Sequence, residues 1–196
     1  MRRFLLICCA AALLSCTDSN APGVPDPQLH IVQQDPAAPL LDSIVARFWA
    51  KVGDGRDVRI GYQPPTAGED YFLRFEVPGD GLLRKPDGSA FQPGDSILIT
   101  LTVVDPARFS VRFEPAGLAF NPDQPARLRF YYYHADHDFN GDGVVDAADT
   151  SIEHTLDLWR RESATSPWFR QGSVKFEELD EIDANILSFT EYAIAW

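Results

Sequence analysis

The chain has 196 residues, 45% of them hydrophobic, with 29 acidic against 17 basic side chains and a net charge of −12. That length allows one sizeable core, and the acidic surface repels phosphate backbones and anionic headgroups, which disfavours nucleic acid and favours divalent cations as partners. The three cysteines, Cys8, Cys9 and Cys16, all lie near the start, so the remainder has nothing to cross-link and is expected to rely on its core or a bound metal.

Residues 1–15 read as a signal peptide. Arg2 and Arg3 precede an apolar run over 4–14 that is too short for a permanent membrane span, and polar residues 17–20 follow Cys16. The tetrad Leu13-Leu14-Ser15-Cys16 resembles the bacterial lipobox. That resemblance implies cleavage before Cys16, acylation of its thiol, and export to the cell envelope on a lipid anchor; an ordinary signal peptide with an incidental cysteine is the alternative. Residues 16–39 contain Pro22, Pro25, Pro27, Pro36 and Pro39 with little periodicity, the composition of a stiff tether or a plain disordered terminus.

From residue 40 the pattern turns to short alternating runs punctuated by Gly, Pro and Asp. Runs over 43–51 and 56–62 flank Val52-Gly53-Asp54-Gly55 and predict a hairpin. A third run covers 71–77. Ile97, Ile99, Leu101 and Val103 place aliphatic side chains on one face and Thr100 and Thr102 on the other, the period of a half-buried strand. Phe109, Val111 and Phe113, then Leu128, Phe130 and Tyr132, repeat it, and a last strand is expected over 189–196. One helix is expected between Ala147 and Arg161, with Ile152, Leu156 and Trp159 at helical spacing. The sum is a mainly β, antiparallel sandwich over 40–196, with a loop–helix unit inserted at 138–161.

Residues 109–120 (FSVRFEPAGLAF), 125–128 (PARL) and 189–195 (FTEYAIA) are similar to the ZU-five sandwich domain of zonula occludens proteins, netrin receptors and ankyrins. The resemblance implies a sandwich fold, ZU-five-like or Ig-like. Some members carry a His-Phe-Ser self-cleavage site where this chain has Ser188-Phe189-Thr190, so a self-processing or hydrolytic enzyme is the alternative reading of function, although both reacting positions differ.

Between the later strands lies the segment 138–149, DFNGDGVVDAAD. Oxygen side chains fall at loop positions 1, 3, 5, 9 and 12 (Asp138, Asn140, Asp142, Asp146, Asp149), the Val144 carbonyl takes position 7, and Gly143 occupies the sharp turn. Calcium is a hard cation that takes six to eight oxygens, and this spacing can wrap them around one ion. Four carboxylates in twelve residues repel one another unless a cation offsets them; Val145 is expected to pack the loop onto the core. Aspartate at position 12 and the NGDG core resemble a single dockerin-type EF-hand repeat. This implies Ca2+ as the bound ion, but dockerins use two repeats to dock cohesins and only one is present here.

His134, Asp136, His137 and His154 are weaker candidates for zinc, since their spacing matches no standard set. Trp159, Trp168 and Trp196, with tyrosines 131–133, are candidates for a carbohydrate-binding face, against the commoner use of such residues in a sandwich core. No GxSxG, HExxH, P-loop or Rossmann fingerprint is present, and the function expected is non-enzymatic: a calcium-binding scaffold or binding module whose partner is an envelope protein or glycan.

Overall fold

The alternating runs form strands, and their apolar faces meet in one interior. The computed structural model describes residues 22–64 and 70–196, so the expected signal peptide and Cys16 lie outside the described residues. In chain order the elements are β1 (Val45–Lys51), β2 (Arg56–Gly61), β3 (Tyr71–Val77), β4 (Leu82–Arg84), β5 (Ser96–Val103), β6 (Ser110–Glu114), β7 (Ala119–Phe120) and β8 (Ala126–Tyr131). There follow α1 (Ala147–Glu153), β9 (Asp157–Arg161), β10 (Phe169–Arg170), β11 (Val174–Phe176), β12 (Glu181–Ile186) and β13 (Glu191–Ala195).

Two antiparallel sheets, ordered β1-β5-β6-β13-β9-β10 and β11-β12-β8-β3-β2, face each other, and β4 and β7 form a small third pair. The inward residues of β5 (Ile99, Leu101, Val103) and β6 (Val111, Phe113) meet those of β3 (Leu73, Phe75) and β8 (Leu128, Phe130) in a single buried cluster. Aromatic rings join the layers: Phe75 packs on Phe113 at 4.7 Å, Phe72 on Phe109 at 5.0 Å and Phe75 on Phe189 at 5.8 Å. Buried rings at these separations contribute beyond their area alone. The mainly β, antiparallel sandwich read from the sequence is the observed architecture.

Three local expectations are corrected. The segment 52–55 turns the chain, with Asp54 N–H donating to the Lys51 carbonyl at 3.1 Å, but it closes no hairpin. Strand β1 pairs with β5 and β2 with β3, in opposite sheets. Val52 N–H bonds to Asp95 and Gly53 N–H to Gly79, so the turn is tied to neighbouring loops and carries the chain across the sandwich edge. The helix ends at Glu153, and Leu156, Leu158 and Trp159 belong to the approach to, or body of, β9, which pairs with β13 from Asp157 to Arg161. A central sheet position for this segment outweighs its helical spacing.

The third correction concerns the tether. Residues 22–39 do not stand clear of the domain: Val32 is fully buried in the main core, and Leu29 joins Trp159, Trp168, Ala193 and Ala195 in a second cluster on the outside of the six-stranded sheet. Backbone bridges pair Val24 with Trp168, Ile31 with Ala195 and Gln34 with Ala135. This strap is locked by charge. Asp26 Oδ1 accepts from Arg161 Nη1 at 2.6 Å and from Trp168 Nε1 at 2.8 Å, and Arg161 Nη2 donates to Glu191 at 2.7 Å. No helix among the described residues is long and apolar enough to cross a membrane.

Candidate metal centre

The acidic loop hangs between β8 and α1 and is held by its second residue. Phe139 is buried, meets Trp196 edge-on at 5.7 Å and His137 at 5.6 Å, and so anchors the loop to the end of β13. Val144 and Val145 are 59% and 66% exposed, which overturns the expectation that Val145 packs onto the core. An aromatic at loop position 2 was the signal available in the sequence for this anchoring role.

Within the loop the side-chain oxygens turn inward onto backbone amides. Asp138 accepts from the N–H of Asp142 at 3.0 Å and of Gly143 at 2.7 Å; Asn140 Oδ1 accepts from Asp142 N–H at 2.8 Å, and Asp142 Oδ1 from Val144 N–H at 2.9 Å. Gly143 has φ of +87° and Gly141 +73°, left-handed values that glycine adopts without steric cost. Asp146 caps α1 by accepting from Ala148 N–H, and Asp149, the third helical residue, reaches back to Asp146 N–H at 3.0 Å. The other Asp149 oxygen accepts from Asn140 N–H at 3.0 Å, so this one buried carboxylate staples loop entry to loop exit. These amide donors, Asp146 first and Asn140 next, hold the Asp149 carboxyl below its ordinary pKa.

The structure therefore brings Asp138, Asn140, Asp142, Val144, Asp146 and Asp149 into one twelve-residue turn. The donor set fits a hard cation, because every candidate ligand is oxygen and no sulfur or imidazole intrudes. Among the described residues, however, no three His, Cys, Asp or Glu side chains converge as a ready-made metal cage. The loop carboxylates are engaged by amides instead.

The zinc candidates are dispersed. His134 Nε2 lies 3.2 Å from Asp70, which also accepts from the Tyr133 hydroxyl at 2.8 Å; His137 meets Phe139 edge-on in the loop anchor; and His154 Nδ1 pairs with Glu177 at 2.8 Å. Asp136 accepts from Asp138 N–H at 3.1 Å and helps to start the turn of the acidic loop. The proposed tryptophan face is also dispersed, since Trp159 and Trp168 are buried in the second cluster and Tyr132 in the first. Around Ser188-Phe189-Thr190, Phe189 sits in the aromatic core and the buried Thr190 hydroxyl points to the Glu191 carbonyl.

The far end of α1 is fixed by polar contacts that the sequence did not reveal. Tyr132 OH donates to Glu153 at 3.0 Å, and Lys175 on β11 donates its ammonium to the Glu153 carbonyl, where a cation complements the helix C-terminus. Lys175 also pairs with Glu177 at 2.9 Å. Next to the loop, Asp138, Phe139, Asn140, Trp196 and the strap residues His30 and Gln33 line a cleft of about 630 Å³. Comparison of the chain with protein-family models, with curated proteins and with solved structures gives no match.

Proposed function

We propose that residues 138–149 bind one calcium ion and that the protein is a non-enzymatic, calcium-stabilised binding or scaffold module, exported and lipid-anchored through Cys16. The observation that supports this most is the combination of ligand order with local conformation. Six oxygen donors occur in calcium-loop order, the residue at the sharp turn is a glycine at positive φ, and the last donor lies in the first turn of the helix that follows. Bound calcium would offset the mutual repulsion of the four carboxylates. Asp138, Asn140, Asp142, Asp146 and Asp149 would hold it by side chain and Val144 by its carbonyl.

In this reading the chain's own residues do the remaining work. Phe139 sets the loop on the core, Asp149 joins the loop to α1, and Lys175 holds the other end of α1 against β11. The envelope location follows from the leader and the lipobox, and the partner is an envelope component. Titration calorimetry tests the metal. One ion is expected to bind with a Kd of about 10⁻⁶ to 10⁻³ M, and Asp142→Ala is expected to abolish it. Equal binding by both proteins would reject the assignment.

A further inference from the structure

The outer face of the six-stranded sheet carries a feature unrelated to the loop. Strand β1 is its edge strand; Phe48 and Ala50 turn inward, which puts Arg47, Trp49 and Lys51 together on the outside. Trp49 is 59% exposed, whereas Trp159 and Trp168 are buried. Across from it in register lies Leu98, itself 40% exposed, with Ser96 opposite Lys51 and Thr100 opposite Arg47.

The two cations are distinctive in this acidic molecule. Among the described residues every lysine and arginine stands within salt-bridge distance of a carboxylate except Arg47, Lys51 and Arg84. Two of these three unpaired cations flank the exposed tryptophan on the same strand face. At the rise of a strand, their Cα atoms lie about 7 Å from that of Trp49 on either side, about 13 Å apart. A flat indole with a cation on each side suits a pyranose stacked on the ring with carboxylates on neighbouring sugars. The guanidinium of Arg47 can take a carboxylate through two hydrogen bonds, and the hydroxyls of Ser96 and Thr100 suit sugar hydroxyls.

We propose that Trp49, Arg47 and Lys51, with Leu98, Ser96 and Thr100 beside them, form a binding platform for a uronate-containing glycan chain. An anionic bilayer is the competing occupant, since tryptophan and basic residues also favour that interface. It is the poorer fit. A plane of negative charge would face the whole −12 molecule, whereas a single polymer strand meets only this local positive strip within a Debye length of about 8 to 10 Å. The hydroxyl-bearing neighbours also favour sugar over acyl chain.

The test uses the full-length protein with calcium present, native gels containing hyaluronan or glucuronoxylan, and tryptophan emission titrations with the same polymers. Wild type is expected to be retarded and quenched by at least one of them, less so at high salt. Trp49→Ala should weaken binding at least tenfold. Arg47→Gln combined with Lys51→Gln should weaken it and flatten the salt dependence, with melting temperatures near wild type because these side chains are exposed. Asp142→Ala should leave glycan retention intact, which separates this proposal from the calcium reading. The platform is overturned if neither polymer binds, if uncharged hydroxyethylcellulose binds equally well, if phosphatidylserine vesicles bind in place of the glycans, or if the Trp49 variant binds like wild type.

Discussion

Arg161 is the residue on which the strap and the sheet depend together. Its guanidinium lies 4.5 Å over the Trp168 ring, bonded to Asp26 on one side and Glu191 on the other, and Glu191 in turn accepts from Arg112 at 2.8 Å. Arg161 and Glu191 side chains are only 10% and 3% exposed. Removing one member of a buried pair leaves a charge without compensation, so Arg161→Ala is expected to cost about 3 to 5 kcal/mol. For a domain of this size that lowers Tm by roughly 6 to 20 °C. Asp26, whose side chain is 53% exposed, should cost clearly less when replaced by Ala. Thermal melts of the two variants decide the order.

Asp149 makes a pH prediction at the same scale. Its folded-state pKa is depressed by the Asp146 and Asn140 amides, so its stabilising contribution is complete above the ordinary aspartate pKa of about 3.9 and is lost as pH falls through the depressed value. Half-buried Asp180 and buried Glu181 act in the opposite sense. Desolvation raises both, so their contribution to folding is greatest in acid and declines as pH rises through the raised values. Without calcium, the Asn140 and Asp146 amide signals in a residue-resolved NMR titration, which report the Asp149 carboxylate directly, should show an acid shift only below about pH 4. In Asp149→Asn the acid shift of these two amides should be absent.

Among the elements, α1 is the one whose stability is borrowed. A helix of seven residues is too short to persist alone, and here one end is stapled by Asp149 and the other by Lys175. If free calcium stands at 10 to 100 times its Kd, binding to the folded state alone stabilises by about 1.4 to 2.7 kcal/mol. A chelator is therefore expected to lower Tm by roughly 3 to 11 °C, leaving the strand signal in circular dichroism largely intact. The reporting fluorophore should be Trp196, because Phe139 packs on it from within the loop. Trp159, which the sequence places on the helix, sits on β9 and should stay silent. Unchanged emission in Trp196→Phe on chelation, with a change in wild type, would confirm the assignment of the signal; persistence of the change in that variant would reject it.

These elements also show what the sequence could and could not reveal. Period-two alternation identified β3, β5, β6 and β8 because each turns one apolar face into the core, and the turn before α1 was legible because its Asp, Asn and Gly signals are local. The end of α1 was not, since Leu156 and Trp159 fit a helical stripe as well as a strand until β13 supplies the pairing edge. The false hairpin at 52–55 has the same origin: turn chemistry marks where the chain reverses, but partner strands are chosen at long range. Trp49 was invisible for a related reason. In the run Phe48-Trp49-Ala50 both faces look apolar, and only the register with β5 sends the tryptophan outward.

At the scale of the whole molecule, the strap makes residues 22–39 part of the fold. Limited proteolysis of wild type should spare this segment, and Asp26→Ala or Arg161→Ala should open cleavage sites within it before any appear in β5 or β6. Early cutting between residues 22 and 39 in wild type would contradict the buried positions of Leu29 and Val32.

The strap also has a mechanical meaning. Tension entering the domain through residue 22 reaches the Val24–Trp168 bridge and the Asp26–Arg161 clasp before it loads the backbone of β1, the first strand along the chain. These attachments are separate bridges and would yield one after another, whereas a continuous ladder shares its load. Between residue 22 and the Leu41–Tyr62 bridge the chain can pay out up to about 65 Å when fully extended. A force-extension trace pulled from that end should therefore show a short, low-force release ahead of the rupture of the sandwich, so the segment would serve the domain as a shock absorber.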